Sequence, residues 1–525
     1  MAGLPDRAVS LLAAHPRWAA LILGLVAALG FPPLRIWGLT LLAMAGFVVL
    51  VDRAPSLRNA LWRGWLFGWA HFTFANNWIA NAFTYQEAMP AWLGWFAVPL
   101  LAIYLAVYPM LAAGGAWAIA RGRGHAITGL ALAGSWIVAE WLRSWVFTGY
   151  SWDPLSLVLL GPFETPGLAA VLPWFGTYAA SGLVVLLATG FLLLLTARRW
   201  LFAGGLAALL SIGMYLPGPP EREGTLAVTI VQPDFGQGEL VDPRLWEPQY
   251  QTLARLSDTP FRDRQRLLVW PEGVIPDYLR DGYPQRFYDR TTAGGDPALA
   301  RTRLGYAAGE QTLLLTGVQD LALENGNAVG AYNVVTALAP DGRIVDGYAK
   351  AHLVPYGEYL ALRWLLEPLG ATRLVAGTLD FFPGPGPRTL ELGPWGKAGL
   401  QICYEIIFSG QVVDPENRPD YIVNPSVDGW FGWFGPPQHF AQARMRAIEE
   451  GLPVLRSTTT GISGIVDANG VVRHAIGMRE EASVDALVPL AKPPTLFART
   501  GNWLAIGWAL VFLLAAAVAL RRHRA

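Results

Sequence analysis

Three reactive side chains stand where apolar runs stop, and their chemical types complement one another. Leu267-Leu268-Val269-Trp270-Pro271-Glu272 is an apolar stretch that halts at proline and then offers a carboxylate. Gln401-Ile402-Cys403-Tyr404-Glu405 ends an apolar run in a thiol, and Gly347-Tyr348-Ala349-Lys350 ends one in an amine. Pro355-Tyr356-Gly357-Glu358 adds a second acid shortly after Lys350. A thiol near pH 7 is mostly protonated, so a nearby base and a cation are needed to raise its thiolate fraction. Glutamate takes the proton. Lysine, a compact point charge, stabilises both the thiolate and the oxyanion formed when the thiolate attacks a carbonyl. Taken singly, each residue has a plainer explanation: a lone cysteine after a strand is commonly a small buried hydrophobe, and a lone Glu or Lys is commonly solvated. Only the combination points to nucleophilic chemistry on a carbonyl. A cysteine–histidine dyad is the weaker alternative, since His352, close to Lys350, reads as a loop residue.

These residues need a scaffold, and the segment 217–501 supplies its signals. Short β-type runs fall at 225–232, 267–270, 312–318, 331–338, 398–403, 420–424, 453–457 and 462–467. Helical patterns lie between them near 245–257, 297–308, 357–369 and 437–451. Strands alternating with helices read as an α/β domain, in which sites form just past strand carboxyl ends.

The rest of the chain is of another kind. It belongs to a sequence of 525 residues that is 53% hydrophobic and only 15% charged, a composition that points to a membrane. Candidate spans run at about 17–32, 34–51, 62–82, 91–119, 126–146, 168–196, 200–216 and 502–520. The first is expected to stay uncleaved, because Phe31-Pro32-Pro33 is a poor signal-peptidase site. Arginines alternate with the loops: Arg7 and Arg17, Arg53 and Arg58, Arg121 and Arg123, Arg198 and Arg199, and the tail Arg521, Arg522 and Arg524 all fall on one side. The loops near 83–90 and 147–167 have neither Lys nor Arg, and Arg35 is the outer side's exception. The positive-inside rule then places both termini in the cytoplasm and 217–501 outside. The expected organisation is a transmembrane bundle of about seven spans at 1–216, an extracytoplasmic catalytic domain at 217–501, and a final span with a basic tail at 502–525. Net charge is zero, so nucleic-acid binding has no electrostatic footprint, and a single cysteine excludes an intrachain disulfide and Cys-x-x-Cys metal clusters.

Trp270-Pro271-Glu272, Lys350 with Pro355-Tyr356-Gly357-Glu358, and Cys403-Tyr404-Glu405 resemble the Glu-Lys-Cys core of the nitrilase superfamily. The closer similarity is to its membrane-bound branch, the bacterial apolipoprotein N-acyltransferases. It continues through Val231-Gln232-Pro233, Trp246, Asn424-Pro425-Ser426-Val427-Asp428-Gly429-Trp430-Phe431-Gly432, Pro437-Gln438-His439, Ala443-Arg444-Met445-Arg446-Ala447 and Leu455-Arg456-Ser457-Thr458. Two stretches depart from the family pattern: Thr459-Thr460-Gly461 lacks an asparagine before the glycine, and Thr148-Gly149-Tyr150-Ser151-Trp152 lacks a proline.

The resemblance implies a four-layer α-β-β-α sandwich beside a helical membrane bundle, and an enzyme without a cofactor in the bacterial inner membrane. Its partners would be a phospholipid giving up its sn-1 acyl chain and an apolipoprotein whose diacylglyceryl-cysteine α-amine receives it. Glu272 would serve as base and acid, Lys350 would hold the oxyanion, and Cys403 would carry the acyl group. Glu358 would orient Lys350, and Tyr404 and Glu405 would shape the pocket. Trp246, with Phe235 and Phe431, would lie over the entrance, although ordinary packing explains such aromatics equally well. Two rivals stay open: a membrane-tethered amidase that passes the acyl group to water, and a transporter or lipoprotein chaperone that uses the helices alone.

Overall fold

The computed structural model describes residues 10–85, 90–369 and 379–524. Arg7 and residues 86–89 of the loop near 83–90 lie outside the described residues. The chain divides into two compact units, Met1–Ala80 with Trp92–Gly218 and Pro494–Ala525, and Asn81–Ala91 with Pro219–Pro493.

The first unit is helical. Each expected span falls on helix: Pro16–Ala28, Trp37–Asp52, Leu57–Ala75, Leu93–Leu105 with Val107–Ala120, His125–Arg143, Leu172–Thr196, Trp200–Tyr215 and Trp503–Arg524. Among the described residues, three segments, Leu93–Ala120, Leu168–Thr196 and Trp503–Arg522, are long and apolar enough to cross a membrane by length and composition. The others are shorter or more polar; Leu57–Ala75 carries Arg58 and Arg63, and His125–Arg143 carries Glu140 and Arg143. Leu57–Ala75 starts earlier than its apolar pattern because the Ser56 hydroxyl accepts from Asn59 N and caps the helix. Glu140 and Arg143 are buried and structurally engaged. Arg143 donates to Trp152 O at 2.7 Å with its guanidinium 5.0 Å over the Phe72 ring, and Glu140 Oε1 accepts from Trp136 Nε1 and Leu155 N. Both side chains therefore tie the loop at 152–155 to the helix.

Among the described residues, the second unit has two six-stranded sheets. The strands are β1 (Glu223–Gln232), β2 (Arg266–Val269), β3 (Thr312–Glu324), β4 (Asn327–Leu338), β5 (Ile344–Ala349), β6 (Thr389–Glu391), β7 (Lys397–Leu400), β8 (Tyr421–Ser426), β9 (Val454–Thr458), β10 (Ser463–Val466), β11 (Val472–Ile476) and β12 (Ala482–Pro489). One sheet runs β12-β1-β2-β3-β4-β5 and the other β11-β10-β9-β8-β7-β6. In each, three central strands are parallel, β1-β2-β3 and β7-β8-β9, and their apolar character reflects burial on both faces. The sheets are bonded across β1 and β9, where Ser457 Oγ donates to Val231 O at 2.6 Å and Thr458 Oγ1 to Gln232 Oε1 at 3.1 Å.

Helices Trp246–Ser257 and Pro297–Ala308 cover the first sheet, with Leu253, Leu256, Ala300 and Leu304 in one buried cluster with Val231, Leu268, Trp270 and Leu314. Fully buried Arg266 donates to Ser257 O and Ala308 O at the ends of both helices, a cation placed where helix dipoles favour one. Helix Gly435–Glu450 serves the second sheet and is buried along nearly its whole length. The result is the α-β-β-α sandwich that the resemblance implies.

Two local expectations change. The helix expected near 357–369 shrinks to Arg363–Leu366 and a following 3-10 turn; Leu362 sits at φ +52°, which breaks the helix, and the Glu358 side chain is drawn to Lys350. The strand expected to reach 403 stops at Leu400, and Cys403–Ile407 forms a 3-10 turn.

Candidate active site

Glu272 lies three residues beyond β2, on a turn pressed against β3. A Cβ on Gly317 of β3 would sit 2.3 Å from Gly273 N and 2.5 Å from the Glu272 Cα, so only glycine admits that approach. Lys350, just past β5, reaches the same point: its Nζ donates to Glu358 Oε1 at 2.9 Å and to Glu272 Oε1 at 3.4 Å. Asn333 of β4 completes the cluster, its Nδ2 donating to Glu272 Oε1 at 2.7 Å and Glu358 Oε1 at 3.1 Å. The second oxygens are satisfied by backbone, Glu272 Oε2 by Val427 N and Glu358 Oε2 by Val354 N. All four side chains are buried. Burial alone would lower the lysine pKa, but the carboxylates of Glu358 and Glu272 outweigh it and hold the ammonium charged.

Cys403 is reached through β7. Gln401 N still pairs with Val423 O, Ile402 N donates to Glu405 Oε2, and Cys403 itself turns at φ +51°. A non-glycine residue in this left-handed region costs about 1–3 kcal/mol and persists where its surroundings over-determine it. Burial pushes the thiol well above its ordinary pKa; Glu272 adds to that rise and Lys350 opposes it. The resting sulfur is therefore a neutral thiol that shares the electrostatic environment of Glu272 and Lys350, and it needs a base before it can attack.

Glu405 does more than line a pocket. Its Oε1 accepts from the Tyr348 hydroxyl and from Ala351 N and His352 N, while Oε2 holds Ile402 N. One carboxylate thus ties the end of β5, which carries Lys350, to the turn that carries Cys403. Burial pushes its pKa up to about 7 against the donors that favour the charged form. It also borders a cavity of about 260 Å³ with Ala351, His352, Gln401 and Gln411. Tyr404 packs edge-on against Phe408 at 5.2 Å, and His352 stacks on Phe408 at 4.0 Å, so the His352 ring is committed to packing.

A second buried cluster joins residues that in sequence are pieces of separate motifs. Arg456 of β9 pairs with Asp428 at 2.8 Å and also donates to His439 Nδ1 at 2.9 Å and to Asn424 Oδ1. His439 Nε2 faces Cys403 O at 3.0 Å. Gly461 leans on the same carboxylate: a Cβ there would lie 2.2 Å from Asp428 Oδ2, which accounts for the glycine of Thr459-Thr460-Gly461. The available signal is the placement of Asn424 and Arg456 in strands whose every residue is buried, where a polar side chain needs a partner. Cys403, Asp428 and His439 offer ligand atoms within 4.8 Å of one another, a grouping of metal-ligand type. Arg456 already supplies the positive charge there and occupies both Asp428 and Nδ1, so the donor set does not suit a cation.

The aromatics divide. Phe431 is buried and edge-on to the His439 ring at 5.5 Å. Its neighbour Trp430 accepts at its carbonyl from Asn81 Nδ2 at 3.1 Å. Trp246 opens its helix half-buried, with its indole N–H on Leu240 O at 3.3 Å. Phe235 lies in the core with Val231 and Trp270.

A family model for the apolipoprotein N-acyltransferase N-terminal domain matches residues 23–190, and one for carbon-nitrogen hydrolases matches residues 228–492. An apolipoprotein N-acyltransferase of Rhodopseudomonas palustris is 31% identical, covering 96% of this chain and 95% of its own length. One of Caulobacter vibrioides is 32% identical, covering 90% of this chain and 88% of its own. Among solved structures, Nit3 of Saccharomyces cerevisiae, a member of branch 10 of the nitrilase superfamily, is 17% identical and aligns with 50% of this chain and 90% of its own at a TM-score of 0.35.

Proposed function

The chain belongs to the apolipoprotein N-acyltransferase family, and from that premise we propose that it moves the sn-1 acyl chain of a phospholipid, through a thioester on Cys403, to the α-amine of a lipoprotein's diacylglyceryl-cysteine. The observation that carries this reading is the buried ammonium of Lys350 held against Glu272, in a site whose only thiol is neutral at rest. Glu272 takes the Cys403 proton as sulfur attacks the ester carbonyl. Lys350 stabilises the oxyanion. On collapse the ester C–O bond breaks, Glu272 returns the proton to the departing glycerol oxygen, and the acyl group remains on sulfur. The acceptor amine then attacks the thioester and gives a proton to Glu272, the C–S bond breaks, and Cys403 recovers its proton. Glu358 and Asn333 orient Lys350 and Glu272, and Glu405 holds their segments in register. Trp246 and Phe431 belong to the surroundings that keep water from the thioester.

The test is transfer itself. Purified protein given phospholipid and a diacylated lipopeptide with a free α-amine should yield N-acylated lipopeptide, with free fatty acid a minor product. Free fatty acid as the main product, unaffected by lipopeptide, would mark an amidase-like enzyme acting toward water.

Residues 217–501 form the catalytic domain in this reading and face away from the cytoplasm, a placement supported by the arginine-rich segments at 52–61, 120–125 and 197–199. A reporter fused after residue 230 is expected to be extracytoplasmic, and reporters at residue 122 or the C-terminus cytoplasmic. A cytoplasmic reporter at 230 would overturn the orientation and, with it, the lipoprotein acceptor.

A further inference from the structure

His439 lies within the buried helix Gly435–Glu450, and what faces each ring nitrogen assigns its hydrogen. Cys403 O can only accept, so Nε2, 3.0 Å away, carries the proton. Nδ1 receives an N–H of Arg456 at 2.9 Å, so it accepts. Asp428 Oδ1 lies 3.1 Å from Nδ1 and is also an acceptor, and the same Arg456 nitrogen, with two hydrogens, donates to both atoms and bridges them. The neutral Nε2–H tautomer satisfies the contacts with the Cys403 carbonyl and with Arg456. Burial and the Arg456 charge both hold the imidazole below its ordinary pKa, which favours the same form.

The carbonyl that Nε2–H meets belongs to the residue at φ +51°. The backbone before Cys403 is fixed by Gln401 N on Val423 O, Ile402 N on the Glu405 carboxylate and Glu405 N on Ile402 O at 3.2 Å. The peptide after it is fixed at its oxygen by His439 Nε2, with Asn424 Nδ2 a longer second donor at 3.4 Å. A conformation that L residues rarely adopt is thus clamped on both sides. We propose that His439 is a positioning residue for Cys403: its Nε2–H bond to the Cys403 carbonyl holds the backbone in the left-handed turn that keeps Sγ beside Glu272 and Lys350, with Arg456 and Asp428 selecting the tautomer. It exchanges no proton during the reaction. The proposal rests on the reading of Cys403 as the nucleophile.

Glutamine places an amide nitrogen close to the Nε2 position, and leucine removes the donor. With full-length protein in phospholipid, His439→Leu should slow single-turnover acylation of Cys403 about 100-fold, the scale expected when a reacting atom is misplaced by about 1 Å. His439→Gln should recover to within about tenfold of wild type, and the pH profile should keep its shape in both variants. If His439→Leu fails to insert, His439→Asn replaces it, since its amide stops at the Nδ1 position. Near-wild-type acylation by the donor-less variant overturns the proposal. So does a His439→Gln variant as slow as His439→Leu with an altered pH profile, which would make the imidazole an acid or base. Structures of the variants decide the matter independently of turnover: Cys403 should leave the left-handed region in His439→Leu and keep it in His439→Gln. An unchanged φ in His439→Leu overturns the positioning role. A wild-type protein that forms no thioester would instead overturn the nucleophile reading, with the structural comparison still testing the His439 clamp.

Discussion

Replacing Lys350 with methionine is expected to abolish turnover and to destabilise the second unit. Methionine keeps the packing but leaves the carboxylates of Glu272 and Glu358, which Lys350 meets at 3.4 and 2.9 Å, facing each other with Asn333 Nδ2 between them. Breaking a buried ion pair by removing one partner costs about 3–5 kcal/mol, because the other charge stays buried without compensation. Thermal unfolding of the wild type and the variant checks this. Lys350→Met with Glu358→Gln removes one of the like charges and should regain most of the stability. Neither variant should recover acylation, since loss of one oxyanion donor costs about 100- to 1,000-fold. A double variant that is both stable and active would remove Lys350 from the chemistry.

Cys403→Ala and Glu272→Gln are expected to be nearly inactive, for different reasons. Cys403→Ala deletes the atom that carries the acyl group, and removing a nucleophile costs on the order of 10⁶ in comparable enzymes. Glu272→Gln is less innocent than its shape implies. The carboxylate's partners Asn333 Nδ2, Lys350 Nζ and Val427 N are all donors, so the amide NH2 must face at least one of them. Loss of the base costs about 100- to 10,000-fold, and the misplaced donor adds a local cost of about 1–3 kcal/mol. Because these residues act as one unit, Cys403→Ala with Glu272→Gln should be little worse than Cys403→Ala alone. Steady-state rates on matched amounts of folded protein check both expectations.

Sequence made the strand-end residues legible because parallel central strands are buried on both faces and read as unbroken apolar runs, as Leu267–Val269 does before Glu272. Pairing across sheets was not legible. Glu405 reads as an acid two residues after the thiol, yet it works by bonding Ala351 and His352, far away in the chain. His439 read as part of a motif, and its contact with Cys403 O exists only because helix Gly435–Glu450 folds back beside the 403–407 turn. The edge strands β11 and β12 were missed because they are only partly buried and alternate weakly. The helix expected near 357–369 failed where a tertiary ion pair to Glu358 overrode local propensity.

The proposed transfer passes through a covalent intermediate, and the chain's single cysteine makes that intermediate easy to localise. Purified protein incubated with phospholipid alone and analysed by intact and peptide mass spectrometry should carry one acyl chain on Cys403. About one equivalent of lysophospholipid per enzyme should accompany it, the stoichiometry of a burst, and hydroxylamine or a diacylated lipopeptide should clear the adduct. An unmodified Cys403, together with product that appears only when phospholipid and lipopeptide are both present and with intersecting initial-rate lines, would contradict the thioester route.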